Sequence, residues 1–463
     1  MALTNKWKCA YHLTPPTGWM NDPNGICQLG DTYHVFFQYA PDYPKDDNKS
    51  WGHYISNDLL HWRFAGTAFY PDNRLDKDGA YSGNALIENG RMTIYYTGNV
   101  KQDGDHDYTH SGRESNTIRV TSEDGMHFSQ KECVLNNQDY PANYTCHIRD
   151  PKVWKDGNTY KMVLGGRKND DSGAILIYES MDGIHWTHAH DVTSHNPFGY
   201  MWECPDIFEL DHQYYLSCCP QGIEPEPYRY QNYHLSGYFP LSATDIQTSG
   251  TEQPELTTID ETRFQEWDYG FDFYAPQTFL DNQGRRILIG WVGGPDSPYA
   301  EPSLEQEHWI YNLTVPRVIG VQNGRLTQMP IPELKQLRSA VRQLQCGVAE
   351  ELPSNCFDWE LSSVAPLKSF QIRFTDDMEL TYQDDILSLR FSRETGAGRT
   401  CRQLKCKAIR SLRILVDRSV MELYVNDGAY VMTSRFFPKE SLRICAEGAF
   451  RTNQLWMIST DTV

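Results

Sequence analysis

Asp22-Pro23-Asn24-Gly25-Ile26-Cys27-Gln28-Leu29-Gly30-Asp31-Thr32-Tyr33-His34-Val35-Phe36-Phe37 is the stretch on which the fold turns. It passes from a polar residue and a proline through a short apolar segment and a Gly-Asp turn. A strongly apolar run of β-formers closes it. That order predicts two strands joined by a tight turn. The order returns from Ser82-Gly83 to Tyr96, Asp150-Pro151 to Val163, Cys204-Pro205 to Leu216 and Ala275-Pro276 to Ile289. With Pro23, Gly83, Pro151, Pro205 and Pro276 as markers, the steps are 60, 68, 54 and 71 residues. A second motif, Ser-x-Asp-x-x-His-aromatic, begins at Ser56, Ser122 and Ser180 and ends at Trp62, Phe128 and Trp186. Each copy follows a β-like run and carries turn chemistry. Five such units predict an all-β, five-bladed β-propeller over residues 1–325. A double-sheet sandwich is the alternative for this region; a solenoid fits poorly with so long a repeat and such irregular loops.

Beyond Arg325 the pattern changes. Pro330-Ile331-Pro332-Glu333-Leu334-Lys335-Gln336-Leu337-Arg338 has prolines at a helix start and apolar residues at helical spacing, which predicts a linker helix within 326–343. Short alternating strands then return, among them Ser369 to Phe374, Ile386 to Phe391, Leu412 to Val416 and Met421 to Val425, with Asn426-Asp427-Gly428 as a hairpin turn. Residues 344–463 therefore read as a C-terminal β-sandwich.

Composition narrows the function. A formal net charge of −19 argues against nucleic acid, whose phosphates need Lys and Arg, and against anionic membranes. No run approaches the length of a membrane span. The stretch Met1 to Tyr11 has no apolar core, so it is not read as a signal peptide. Twelve Cys are scattered without a C-x2-C pair or a histidine cluster, so no zinc site is expected. Free thiols in a reducing, cytoplasmic setting are expected instead. Aromatic residues reach 13%, which suits both strand packing and a cleft for sugars.

In a propeller the first strand of each blade lines the central channel, so residues at those strand starts converge at one mouth. Three of the marker positions carry acids: Asp22, Asp150 beside Arg149, and Glu203 in Glu203-Cys204-Pro205-Asp206. A single Asp-Pro commonly just opens a turn. Three acids at equivalent repeat positions predict a shared pocket, where crowding raises at least one pKa. Two carboxylates across a cleft are the minimum for cleaving a glycosidic bond, and a third can accept hydrogen bonds from sugar hydroxyls. Asn21, Gln38, Trp51, Ser82, Arg149, Tyr274 and Trp291 are the candidate substrate-binding residues. Trp51 and Trp291 suit strand packing equally well.

These residues carry a resemblance. Trp19-Met20-Asn21-Asp22-Pro23-Asn24-Gly25, Arg149-Asp150-Pro151 and Glu203-Cys204-Pro205-Asp206 resemble the three acidic motifs of glycoside hydrolase family 32, which comprises invertases, sucrose-6-phosphate hydrolases and exo-acting fructanases. Phe36-Phe37-Gln38-Tyr39, Trp51-Gly52-His53, Phe273-Tyr274-Ala275-Pro276-Gln277 and Ile289-Gly290-Trp291 match as well, and Val416-Asp417-Arg418-Ser419 is similar to the family's sandwich domain. The resemblance implies a retaining β-fructofuranosidase acting on sucrose or sucrose-6-phosphate, without cofactor. Asp22 would be its nucleophile, Glu203 its acid/base and Asp150 the holder of ring hydroxyls. Tyr144 to Pro151 and Cys219-Pro220-Gln221-Gly222 are similar to the bacterial cytosolic sucrose-6-phosphate hydrolase branch. Two features depart from it: Tyr81-Ser82-Gly83-Asn84 stands where Phe-Ser-Gly-Ser is common, and Lys101 to Ser111 looks like an insertion near the cleft mouth. Arg113, Arg229 and His234 are the candidates for binding a phosphate. Fructan hydrolysis and fructosyl transfer would use the same three acids, and a non-catalytic sugar-binding propeller is the remaining alternative. The expected partner is a small sugar, the expected oligomeric state a monomer or homodimer.

Overall fold

The computed structural model describes residues 5–242, 245–246 and 255–459, so the outer ends of the two expected domains lie outside the described residues. Five consecutive antiparallel sheets come first. Their innermost strands are Gly18–Leu29, Ala80–Glu88, Tyr144–Asp156, Met201–Leu210 and Tyr274–Leu280, each hydrogen-bonded to the next strand in sequence. These are the blades of the propeller. Apolar side chains fill the space between neighbouring blades; Phe36, Trp51, Phe69, Ile94 and Tyr96, for example, pack blade 1 onto blade 2. The ring is closed by late residues: Trp309–Ile310 pairs in parallel with Gly18 and Trp19, and Gly18 N donates to His308 O at 2.8 Å.

All five innermost strands carry the same irregularity. Two residues face one on the partner strand at Asn21-Asp22, Tyr81-Ser82, Asp150-Pro151, Cys204-Pro205 and Ala275-Pro276. A β-bulge re-aims side chains and sharpens the local twist. Proline, which cannot donate to the ladder, sits here without loss because the bulge already interrupts it. Asp150, Cys204 and Ala275 adopt left-handed φ of 64°, 47° and 45° just before their prolines, a conformation that costs free energy in a non-glycine residue. The sequence markers thus lie in the bulges of blades 3 to 5 and directly after those of blades 1 and 2.

The Ser-x-Asp-x-x-His-aromatic copies form three like turns between outer strands. Asp58, Asp124 and Asp182 each accept backbone N–H bonds from the residues that follow and meet His61, His127 and His185 at 2.6, 2.7 and 2.7 Å. They hold turns and stand apart from the channel.

The expected linker helix is shorter and of another kind. Only Pro332–Leu337 is helical, as a 3-10 helix that buries Leu334 and Leu337; Arg325–Pro330 and Arg338–Gln343 are strands. Prolines 330 and 332 remove the donors that a longer α-helix would need. Arg338–Gln343 already pairs with Thr452–Ile458 in the sandwich. That sandwich is two six-stranded sheets over a dense core that includes Trp359, Phe374, Leu389 and Leu423. Asn426-Asp427-Gly428 turns between Val420–Val425 and Tyr430–Arg435 with all three residues at positive φ. A side chain at 428 would collide with the Gln328 carbonyl of blade 5, so glycine is required for contact as well as conformation.

The two parts share a buried polar seam. Asp417 of the sandwich accepts the backbone N–H groups of Ala10, Tyr11 and His12, and both ring nitrogens of His12 face carboxylates, Asp417 at 2.9 Å and Glu422 at 3.0 Å. Arg317 of blade 5 reaches Glu422 at 2.9 Å from the other side. Cys9, His12 and Asp417 lie close enough together to hold a metal ion, but Asp417 is already saturated by N–H donors and His12 by carboxylates, which describes a brace. All twelve cysteines are free thiols, and among the described residues no helix is long and apolar enough to cross a membrane.

Candidate active site

The bulges bring the predicted acids together. Cys204 Sγ lies 3.6 Å from an oxygen of Asp22 and 3.6 Å from an oxygen of Asp150, so the two carboxylates flank one sulfur. Cys204 N also donates to Asp150 at 3.0 Å. Glu203, the residue before, places its carboxyl in the same pocket.

Each acid has a distinct shell. Asp22 accepts Ser82 Oγ at 2.5 Å, Asn21 Nδ2 at 3.1 Å and, more loosely, Gln38 Nε2 at 3.4 Å. Asn21, Gln38 and Ser82 are further linked to one another, and Trp19 Nε1 holds Asn21 Oδ1 at 2.7 Å. Asp150 is anchored by its backbone, whose N–H donates to Thr97 Oγ1 at 2.9 Å. Glu203 receives a two-pronged donation on Oε1 from Arg149, with Nε at 3.0 Å and Nη2 at 2.5 Å, while Oε2 accepts Tyr274 OH at 2.7 Å and Gln221 Nε2 at 2.6 Å.

These shells separate the acids electrostatically. Burial pushes Asp22 above the usual carboxylate range, and the charge of Glu203 adds to it against the hydrogen bond from Ser82. Burial also pushes Asp150 up to about 7; the Arg149 charge pulls against it, and the Glu203 and Asp22 charges add to the rise. Glu203 feels the same burial, but the charge and hydrogen bonds of Arg149, with the Tyr274 hydroxyl, draw it below the usual range. Three buried carboxyls stand with one guanidinium beside them, and their titration belongs to the group.

Trp291 forms an aromatic wall with Trp19, Tyr274 and Tyr311, at ring separations of 5.0 to 6.2 Å, and its buried Nε1 has no protein partner. Trp51 does not join it. Fully buried among Phe36, Phe69 and Tyr96, with Nε1 bonded to Tyr81 O, it offers no face to a ligand and is a packing residue. Of the phosphate candidates, Arg229 is spent on Phe264 O and Glu266, and Arg113 on Asn99 and Tyr108 O. His234 borders the site, and its buried Nδ1 lacks a partner. Gln221, Cys204 and His147 stand inside quoted motifs without a site role, and Thr97 stands outside them, since the contacts that give them a role arise in the fold. Two cavities lie beside the shells of the acids without being lined by the acids themselves: one of about 460 Å³ lined by Tyr200, Gly222, His234, Gly293 and Arg402, and one of about 390 Å³ lined by Gln38, Lys49, Tyr81 and Lys101.

Known proteins share this arrangement of chain. The N-terminal domain of glycosyl hydrolases family 32 matches residues 12–330, and the family's C-terminal domain matches residues 365–457. A sucrose-6-phosphate hydrolase of Klebsiella pneumoniae is 36% identical over 97% of this chain and 92% of its own, and one of Bacillus subtilis (strain 168) is 34% identical over 92% and 88%. The solved sucrose-6-phosphate hydrolase of Lactobacillus gasseri superposes with a TM-score of 0.87 at 28% identity, covering 99% of this chain and 94% of that one. A Bombyx mori β-fructofuranosidase in complex with sucrose gives 0.82 at 27%, covering 99% and 95%. Matched over both its propeller and its sandwich, the chain belongs to glycosyl hydrolases family 32 and is a glycoside hydrolase.

Proposed function

We propose that this enzyme hydrolyses the terminal β-D-fructofuranosyl unit of sucrose or sucrose-6-phosphate with retention, through a covalent fructosyl-enzyme. The observation that carries the reading is the meeting of Asp22, Asp150 and Glu203 around Cys204 with Arg149 as the adjoining cation. Asp22 attacks the anomeric carbon. Glu203 protonates the departing glucosyl oxygen and then takes a proton from the incoming water. Asp150 accepts hydrogen bonds from fructosyl hydroxyls, and Asn21, Gln38, Ser82, Tyr274 and Trp291 shape the fructosyl pocket. The cavity of about 460 Å³ lies on the Glu203 side, next to Gln221-Gly222 and His234, and offers room for the leaving group.

Glu203 must carry a proton when the bond breaks, yet Arg149 holds it ionised in the geometry seen here. Sugar hydroxyls that compete for the Arg149 fork release that restraint, and Glu203 takes up a proton before the bond breaks. Twelve free thiols and an acidic surface fit a reducing cytoplasm, where the relatives' phosphorylated substrate would be met.

The test is a product analysis on sucrose, sucrose-6-phosphate and inulin, with kinetics on the first two. Equimolar fructose and glucose, or fructose and glucose 6-phosphate, are expected. Kestoses in place of free fructose would make the enzyme a transferase; activity confined to inulin would make it a fructanase.

A further inference from the structure

The loop between Arg91–Lys101 and Arg113–Ser122 of blade 2 is long and rich in Asp and His, and the reaction above makes no use of it. It is built to keep one shape. Asp107 Oδ1 accepts the backbone N–H groups of Thr109, His110 and Ser111 at 3.0, 2.9 and 3.1 Å, and Oδ2 meets His110 Nδ1 at 3.0 Å. Tyr108 sits at a left-handed φ of 55°, uncommon for a bulky residue. That conformation turns its carbonyl toward blade 3. There the carbonyl accepts Arg113 Nε at 2.9 Å and lies 3.1 Å from His147 Nε2, while Cys146 N donates to Thr109 O at 2.8 Å.

A carbonyl can only accept, so the Tyr108 contact assigns the proton of His147 to Nε2. Nδ1 is then a lone pair, since burial and the charges of Arg149, Arg113 and Arg167 keep the ring neutral. That lone pair faces Arg149 Nη1 at 2.6 Å. The remaining edge of Arg149, Nε and Nη2, is the fork on Glu203 Oε1. One chain of hydrogen bonds thus runs from an exposed loop to the acid/base carboxyl.

We propose that His147 is a positioning residue: the Tyr108 carbonyl of the 102–112 loop fixes its tautomer, and its Nδ1 orients Arg149 and thereby Glu203. The proposal rests on the fructosidase reading. A histidine that merely filled space could be replaced by any side chain of similar volume without selective effect on proton transfer.

Two substrates separate these cases: sucrose, whose leaving oxygen needs a proton, and p-nitrophenyl β-D-fructofuranoside, whose phenolate leaves without one. His147→Leu should lower kcat/KM on sucrose by about 30-fold and on the aryl fructoside by no more than about 3-fold. His147→Asn, whose Oδ1 stands where Nδ1 stood, should recover most of the loss on sucrose. Asp107→Ala, exposed and remote from the acids, should act in the same direction by about 3- to 5-fold, on sucrose alone. Equal losses on both substrates in His147→Leu, or an Asn variant no better than Leu, would overturn the proposal. A wild-type enzyme inert toward both fructosides would refute the underlying reaction, and the proposal with it.

Discussion

The molecule buries acids in two places and treats them in opposite ways. At the seam between propeller and sandwich, Asp417 and Glu422 sit between two cations, His12 and Arg317, and Asp417 takes three backbone N–H bonds as well. Burial pushes both acids up, yet their partners draw Asp417 below its usual range and Glu422 down to about 2. At the channel mouth, Asp22, Asp150 and Glu203 have Arg149 as their adjoining cation, and both aspartates are pushed up. Desolvation is the largest cause in all of these groups; the supply of cations and N–H donors decides the outcome. The seam is compensated and holds the domains together. The mouth is left short of compensation, which sets two raised carboxyls beside a lowered one at the cost of stability.

Substitutions at the two clusters should therefore part company. The largest effect is expected from Asp22→Asn, which should cut turnover by at least about 10⁴-fold in steady-state assays while the circular dichroism spectrum and melting temperature stay at or above those of wild type. Asp417→Asn should do the reverse. By stranding His12 and three N–H donors it should lower the unfolding free energy by about 3–5 kcal/mol in denaturant titrations, with the surviving folded fraction fully active. A comparable stability loss from Asp22→Asn would erase the distinction between the clusters.

The seam also predicts a pH dependence of stability. Burial opposes a charge on His12, but the hydrogen bonds it donates to Asp417 and Glu422 raise its pKa to about 9. The folded state then holds a proton that the unfolded chain releases near pH 6.5. This contribution is complete below that pH and disappears as pH rises through 9. Melting temperatures measured across that window should fall for wild type and change less for His12→Gln. A smaller effect of opposite sign is expected at the mouth: Asp150→Asn, besides losing activity, should raise the unfolding free energy by about 1 kcal/mol. Asp182→Ala, in an exposed repeat turn, should leave activity unchanged and barely move the melting temperature.

The propeller was legible because each blade repeats a marker, and Asp22-Pro23, Asp150-Pro151 and Cys204-Pro205 mark the places where the ladder is broken. The three acids followed from the same markers. What lay hidden was contact that no motif spells out. Gln221 reaches Glu203 from the neighbouring strand, and His147, beside Arg149 on the same strand, is met on its other nitrogen by the Tyr108 carbonyl of a blade 2 loop. Trp51 shows the opposite failure: its residue type suits a sugar platform, but its position on the third strand of blade 1, Ser50–Ser56, turns it into the core. The 326–343 segment misled through its helical spacing, since two prolines and strand partners on either side outweigh local propensity.

The claim that the under-compensated acids divide the chemistry between them is tested most directly by trapping the intermediate. In Glu203→Gln an activated aryl fructoside can still load the enzyme, because its leaving group needs no proton, whereas hydrolysis lacks its base. Intact and peptide mass spectrometry of that variant after incubation should show one fructosyl unit esterified to the peptide bearing Asp22. An adduct on Asp150 or elsewhere, or continued rapid turnover with no adduct, would contradict the assignment.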